Sequence, residues 1–417
     1  MPPTASSRSL SASAFRLVFA ADMVSLFGSL VSRVALPFVA ILFLQARPFE
    51  VALLSVADII AGFASALLIA PWIDRWPKRR TMLCADVARA ALLAAVPLGA
   101  WAGWLAMPGL LAIALVCGVL NIGFELAYSA LLPRLVDRDR LLAANSRIAA
   151  GQAVVETASF GLGGWLVQWL TAPVAVWADA LSYVGSALLI WRVRVDEDRA
   201  ASPADSASSG AAAWLAETLA GLAIVRRDPV LRALAAVEFC VAGGFQMYGA
   251  MFLLFVARDI GFAPGVLGMI FALGGLSSFA GALLAERLAR RASAGPLMMG
   301  GLALATLAMF LPPLVVGAGV AGAALLIAQQ LVGDGGHTVY LVNDNVLRQS
   351  RAPKQALARV NAGIRFIGLA AMLLGALAGA LVGEAWGARS ALLVAAAWAS
   401  LGVVVVLSSR LRSVAIA

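Results

Sequence analysis

Charged side chains are scarce: they make up only 13% of the 417 residues, whereas hydrophobic residues make up 62%. Soluble domains usually contain about 25% charged and roughly 45–50% apolar residues. Runs of about 20 mostly uncharged residues, each long enough to cross a bilayer, recur from Phe15 to Leu407. The composition excludes a water-soluble protein and indicates one that crosses the membrane many times.

The residue types used for catalysis and metal binding are also few. Only two lysines are present and neither lies in a G-x-x-x-x-G-K-[ST] phosphate loop, which excludes ATP hydrolysis by this chain alone. The single histidine, His337, excludes H-E-x-x-H, and no G-x-S-x-G occurs. Cys84, Cys117 and Cys240 lie far apart in apolar segments, which predicts buried free thiols rather than disulfides or metal ligands. We therefore expect no enzymatic activity, no cofactor and no metal.

Twelve apolar segments are predicted to span the membrane as helices, and one polar stretch divides them into six and six. The predicted spans are 14–45, 49–73, 81–104, 107–132, 141–170, 172–192, 231–257, 264–289, 296–317, 319–347, 356–383 and 388–409. The predicted organisation is a tail (1–13), an N-terminal bundle (14–192), a linker with an amphipathic helix (193–230) and a C-terminal bundle (231–417).

The placement of lysine and arginine predicts the orientation. If the N-terminus is cytoplasmic, the cytoplasmic segments carry 24 of the 31 basic residues, the outer loops carry 3, and 4 lie inside helices. This asymmetry follows the positive-inside rule and places both termini in the cytoplasm. It also accounts for the net charge of +9 without a nucleic-acid partner.

Three sequence similarities between the halves predict an internal repeat. Asp74-Arg75 resembles Glu286-Arg287 at an offset of 212 residues, and Arg134 resembles Arg348 at an offset of 214. The segments 141–151 and 356–368 place Asn145 on Asn361, an offset of 216. Parallel repeats of this kind occur in membrane transporters.

Charges embedded in the predicted spans are the main functional candidates, because each costs at least ~2.5–3.5 kcal/mol at bilayer depth. The embedded acids are Asp22, Asp58, Glu125, Glu156, Asp179, Glu238 and Asp334, and Arg33 is the only base predicted to lie deep. Polar residues on spans 1, 2, 4, 5 and 10 recur every three or four positions, which predicts polar faces around a common cavity. The alternative is that the small and polar residues serve helix packing. Spans 3, 6, 9 and 12 carry few charges and are predicted to face lipid.

Single residues allow both functional and structural hypotheses. Arg33 and Asp58 lie at similar depths, which favours a structural ion pair. Glu156 has no base at its depth and is expected to stay protonated until water reaches it, either as a proton-coupling or substrate-binding group or as a hydrogen-bonded structural one. Asp22 and Glu125 are candidates for a gate. Asp334 and His337, one turn apart, are a candidate titrating pair, although a satisfied buried histidine is the simpler interpretation.

The segment after span 2 carries a recognisable motif: Ala70-Pro-Trp-Ile-Asp74-Arg75-Trp-Pro77-Lys-Arg79-Arg80. It resembles the G-x-x-x-D-R-x-G-x-R-R loop of the major facilitator superfamily, with Ala70 and Pro77 where glycines are usual. Segments 130–145, 179–183, 226–229 and 347–366 add to a likeness with the bacterial branch that includes enterobactin and macrolide exporters. Span 5 has Ser-Phe-Gly-Leu-Gly-Gly at 159–164, where antiporters of the family tend to have G-P-x-x-G-G.

The resemblance implies an all-α fold of two six-helix bundles that rock about a site at mid-membrane. It implies a cytoplasmic gate, to which we assign Asp74, Arg75, Arg79, Arg80, Asp86, Arg89, Glu286 and Arg287. The expected function is proton-coupled export of a hydrophobic or cationic small molecule, with protons and membrane lipids as the other partners. We expect a monomer in the bacterial inner membrane. The alternatives are an uptake carrier or uniporter, and a protein that concentrates no solute, such as a lipid scramblase or a sensor.

Overall fold

The computed structural model describes residues 5–64, 76–136, 141–193, 211–353 and 355–413. In these ranges the regular structure is entirely helical. The helices are α1 (Ala5–Phe38), α2 (Pro48–Ala64), α3 (Lys78–Ala102), α4 (Met107–Leu135), α5 (Leu141–Leu170), α6 (Ala172–Arg192), α7 (Ala211–Arg227), α8 (Pro229–Leu253), α9 (Pro264–Ala289), α10 (Ala294–Ala308), α11 (Val320–Gln329), α12 (Gly335–Arg351), α13 (357–386) and α14 (388–408).

The prediction of an all-α membrane fold with twelve spans is confirmed. α11 and α12 form one span through the π-helical turn Gln330–Asp334, and α7 is the helix predicted in the linker. Gly387, with φ of 81°, separates α13 from α14 inside the gap left between the last two predicted spans. Eight helices in the described part of the chain are long and apolar enough to cross a membrane, when Leu357–Ser408 is counted as one.

The described residues divide into two compact units, one made of Met1–Leu44 with Ala57–Ala211 and the other of Gln45–Val56 with Ala212–Ala417. In the first unit α6 packs against both α1 and α3, and α1 also packs against α5. In the second unit α8 packs along α13 and α14, and α12 packs against α9 and α10. The closest approach of α8 and α13 is at Gly243 and Gly375, where a side chain on Gly375 would collide with the Gly243 carbonyl group.

The backbone shows the internal repeat directly. Positive φ angles occur at Gln45 and Gly261, which are 216 residues apart, and again at Thr171 and Gly387, also 216 apart. α2 and α9 begin at prolines with the same separation. The repeat is therefore parallel with an offset of 216, as the Asn145–Asn361 pairing indicates. The offsets of 212 and 214 are wrong, because recurring arginines at helix ends also match one another when shifted by up to one turn.

Candidate functional site

A buried polar network in the first unit is centred on Arg89. Its guanidinium group donates one hydrogen bond to Asp86 and another, of 2.6 Å, to Asn121 Oδ1. The guanidinium carbon lies 4.0 Å from the ring centre of Tyr183 and 4.8 Å from that of Phe124. Arg89 and Asp86 are both fully buried. The arginine is thus held by a charge pair, an amide and two aromatic faces, while Arg89 Nε and Asp86 Oδ2 are buried without a hydrogen-bond partner.

Two predictions about this region are wrong. Arg33 is not the only deep base, since Arg89 lies 11 residues inside α3, or ~16 Å at the rise of an α-helix. The third and sixth spans are not simply lipid-facing, because α6 contributes the buried Asp179 and Tyr183, and α3 contributes Arg89. α3 and α6 therefore each have a polar face and an apolar face. Their apolar faces form a groove of about 480 Å³ lined by residues that include Trp177 and Trp191.

The network extends toward other predicted site residues. The Asn121 amide donates to Glu125 Oε1 at 3.3 Å, so that Glu125 is joined to Arg89 through one side chain. Asp22 lies beside Gln152 and Tyr128, and within electrostatic range of Glu125. The structure therefore brings Asp22 and Glu125, both predicted from the sequence, into one polar group.

Arg33 does not form the ion pair with Asp58 that their depths favoured. Both side chains are exposed, and the ion pairs found among the described residues do not include them. Arg33 instead acts at longer range on two acids, Asp58 and Glu125. In this part of the unit two carboxyl groups therefore share one base.

α5 presents a continuous polar face that includes Glu156. Asn145, Gln152, Glu156 and Thr157 are all exposed, whereas Ser159 is buried. Polar and charged groups at membrane depth face water or other protein groups rather than lipid. The position of Glu156 therefore fits a residue that lines an aqueous path.

In the second unit, the carboxylate of Asp334 lies at the end of the π-helical turn, and such turns are frequent at functional sites. Asp334 is half-buried, forms no ion pair among the described residues, and interacts electrostatically with Tyr248. The Tyr248 ring stacks on Phe252 with 5.3 Å between centroids.

His337 does not pair with Asp334. Its ring stacks on Phe245 at 4.5 Å and lies 5.7 Å from the ring of Tyr340. The buried Nδ1 atom of His337 has no hydrogen-bond partner. The simpler interpretation, a satisfied buried histidine, is therefore also wrong, because the contacts of this ring are aromatic rather than polar.

A second charge cluster in this unit was not recognised from the sequence. Arg348 Nη2 lies 2.7 Å from Glu238 Oε2 and 2.6 Å from Asp344 Oδ2, which ties α8 to α12. The prediction had placed Arg348 in a cytoplasmic loop and had not included Asp344. The feature of the sequence that indicates this cluster is the spacing of Asp344 and Arg348. They are four residues apart on one helix, which brings opposite charges together.

The proposed gate residues are only partly within the described ranges. Asp74 and Arg75 lie outside them. Arg79 Nε donates to the Ile190 carbonyl oxygen at 3.0 Å, which fixes the start of α3 against the end of α6, and Arg80 is exposed. Glu286 pairs with Arg290 at 3.1 Å on the surface, and Arg287 is exposed beside it. Asp86 and Arg89, the other two residues predicted for this gate, are the fully buried pair of the polar network described above.

These residues give each unit embedded carboxylates, some paired with arginine and some not. Such an arrangement can exchange protons or attract cations. In the part of the chain that the structure describes, no group of three His, Cys, Asp or Glu side chains is placed to hold a metal ion. The three cysteines are free, but only Cys240 is buried and Cys84 is exposed.

Comparison with known proteins gives consistent results. The sequence profile of the Major Facilitator Superfamily matches residues 18–368. An uncharacterized MFS-type transporter, y4rN of Sinorhizobium fredii (strain NBRC 101917 / NGR234), is 30% identical over 285 residues. That similarity covers 66% of this chain and spans 65% of the length of the relative.

Solved structures share the fold. A bacterial homologue of the iron transporter ferroportin, in an inward-facing state, has a TM-score of 0.75 at 14% identity, covering 94% of this chain and 98% of the other. The nucleoside transporter NupG has a TM-score of 0.74 at 14% identity, covering 96% and 98%. A bacterial homologue of the human lysosomal transporter Spinster has a TM-score of 0.70 at 15% identity, covering 99% and 98%. Together with the twelve spans and the repeat, these matches show that the chain belongs to the Major Facilitator Superfamily, a family of multi-pass membrane transporters of small molecules rather than of enzymes.

Proposed function

We propose that this transporter exports a hydrophobic or cationic small molecule in exchange for protons, by alternating access. It acts as a monomer in the bacterial inner membrane with both termini in the cytoplasm. The observation that carries the proposal is the environment of Asp334, a carboxylate at membrane depth that has no ion-pair partner among the described residues and interacts electrostatically with Tyr248.

Charge and shape of this environment favour a cation with apolar groups. An unpaired carboxylate attracts positive charge, and the faces of aromatic rings attract cations as well as apolar surface. Phe252 and Phe271 extend the aromatic cluster beyond Tyr248, with 6.0 Å between their centroids, and Phe271 is its partly exposed member. An anionic solute would be repelled by Asp334 and by the excess of acids in the first unit.

The same carboxylate provides a simple means of coupling. It can hold a proton or interact with a cation, but its charge is not available to both at once. Binding of the cation therefore releases the proton, and binding of a proton releases the cation, which is an exchange reaction. The likeness of segments such as 226–229 and 347–366 to enterobactin and macrolide exporters supports the outward direction for the solute. Glu156, exposed on α5, is the second candidate for proton exchange.

The test is proton release by the purified protein in weakly buffered detergent solution after addition of tetraphenylphosphonium. We expect release from the wild type and its loss in Asp334→Asn. Glu384→Gln, which neutralises an exposed acid on α13, is the matched control and retains release. Glu156→Gln reports separately on the second candidate.

Two results would contradict the proposal. Release that persists in Asp334→Asn would exclude this residue as the exchanging group. Silence of the folded wild type toward tetraphenylphosphonium, cationic dyes, siderophores, macrolides and lysolipids would exclude proton exchange with these solutes and favour a uniporter.

A further inference from the structure

The repeat offset of 216 residues relates Asp58 to Gly274 and Gly118 to Asp334. Each half thus contains one aspartate and one glycine at this pair of positions, but in exchanged order. In the first unit the aspartate is on α2 and the glycine on α4. In the second unit the glycine is on α9 and the aspartate lies at the end of the π-helical turn after α11.

In both units the carboxylate of the aspartate lies next to the glycine, where a side chain on the glycine would meet it. A side-chain carbon built on Gly118 would lie 3.7 Å from Asp58 Oδ1 and 2.8 Å from Ala61 Cβ, both on α2. One built on Gly274 would collide with Asp334 Oδ2. The carboxylate therefore occupies the same place relative to the two helices in each half, although it comes from a different helix.

The depth of the two positions in the membrane supports the equivalence of the two carboxylate sites. Asp58 and Gly274 both lie 10 residues after the proline that begins their helix, which is ~15 Å along the helix axis. The hydrocarbon core of a bilayer is ~30 Å thick, so both positions are near its middle. A carboxylate maintained there in both halves, at the cost of embedding a charge, is a functional candidate.

We infer that each half carries one carboxylate site at the crossing of its second and fourth helices, and that each site takes a proton or a hydrophobic cation. The transporter requires one acidic side chain at this crossing, and either of the two helices can supply it. The inference rests on the proposed exchange of protons for a cation and extends it from Asp334 to Asp58. It assigns two exchange sites, one to each half.

The two sites differ in their neighbours. Arg33 acts electrostatically on Asp58, whereas the position equivalent to Arg33 in the second half is Gly249. The groups near Asp334 are the Tyr248 hydroxyl and the Gln330 amide, neither of which is cationic. A cationic side chain therefore acts on one of the two sites only, and removal of Arg33 makes the two sites more alike.

The experiment relocates the carboxylate. Asp334→Ala removes it, and Asp334→Ala/Gly274→Asp returns it from the opposite helix. The side chain at position 274 then meets only the end of the Gln330 side chain among its nearest former contacts. Asp58→Ala/Gly118→Asp is the corresponding pair of changes in the first half, where Ala61→Gly is added because a side chain at position 118 would lie 2.8 Å from Ala61 Cβ. Both of these variants are first checked for a single gel-filtration peak and wild-type helicity.

Two measurements are made. Dicyclohexylcarbodiimide reacts with protonated carboxyl groups in apolar surroundings, and peptide mass spectrometry locates the adduct. Binding of tetraphenylphosphonium is measured by equilibrium dialysis. Asp334→Ala is expected to lose the adduct and to bind the cation about tenfold more weakly, which corresponds to about 1.4 kcal/mol, because the cation loses an opposite charge. The double variant regains both, with the adduct at position 274. Arg33→Gln increases labelling of Asp58.

The results separate this inference from the proposed function. Labelling at position 274 together with recovered binding of the cation supports both the equivalence of the two sites and the proposed function. Labelling that moves while the wild type binds no cation supports the equivalent sites and overturns the cation substrate. A folded double variant that neither labels at position 274 nor binds the cation overturns the equivalence. If the double variant of the second half does not fold, the corresponding variant of the first half tests the equivalence in the same way.

Discussion

Replacement of Arg89 by methionine should destabilise the first unit strongly. The change leaves Asp86 buried without its partner, and removing one member of a buried ion pair typically costs about 3–5 kcal/mol. Loss of the stacking on Tyr183 and Phe124 adds to this, since a desolvated cation–π contact is worth about 2 kcal/mol. Methionine keeps much of the side-chain volume, so the effect reports charge rather than a cavity.

The assay is thermal unfolding of the purified protein in detergent at a fixed scan rate. In a unit of this size 1 kcal/mol corresponds to roughly 2–4 °C, so a loss of about 3–5 kcal/mol lowers the apparent Tm by roughly 6–20 °C. The double variant Asp86→Leu/Arg89→Met removes both charges and should recover most of that loss, because a well-packed apolar pair replaces a buried ion pair at little cost. Arg89→Lys keeps the charge but not the planar geometry, and should fall between them.

The reasoning fails if the double variant is as unstable as Arg89→Met. In that case the hydrogen bond to Asn121 and the aromatic contacts, rather than the charge pair, would dominate. A wild-type Tm for Arg89→Met would mean that Arg89 lies in a solvated place, against the burial found here.

Three smaller effects follow from other contacts. Asp228 accepts hydrogen bonds from the first turn of α8, so Asp228→Ala should cost about 1 kcal/mol of stability while Asp228→Asn is nearly neutral, as measured by the apparent Tm. Gly375→Val should cost about 1–3 kcal/mol because α8 passes too close for a side chain, whereas Gly249→Ala, with open space around it, should be neutral or stabilising by about 0.5–1 kcal/mol. Thr171→Gly should raise the apparent Tm by an amount equivalent to about 1 kcal/mol because threonine is strained at φ of 77°, and an unchanged Tm would contradict this.

The spans were predictable because they depend on local patterns. The apolar runs and the glycine at position 387 are sufficient to place α13 and α14 as separate helices. The positions of Asp22 and Glu125 on helix faces likewise predicted that they share a polar region. These features need only the helical period and the hydrocarbon thickness.

The environment of each charge could not be predicted in the same way. The spacing of Asp86 and Arg89 is the same whether the pair is in the core or at a membrane surface, and only the rings of Tyr183 and Phe124 from other helices show that it is buried. The exchange of Asp58 and Asp334 between helices was hidden for a related reason. It becomes visible only when backbone turns fix the repeat offset, because sequence similarity alone gave three different values.

The two halves use different residues at the same backbone turns. Where the second half has Gly261 and Gly387, the first has Gln45 and Thr171, which adopt positive φ only at a cost of about 1–3 kcal/mol each. A chain that stores strain at one site opens there first, since local unfolding begins where native stability is lowest. We therefore expect protease cleavage under partly denaturing conditions to begin near Thr171 before it begins near Gly387. The half with the strained turns is thus expected to unfold first, and its stability then limits the lifetime of the folded transporter.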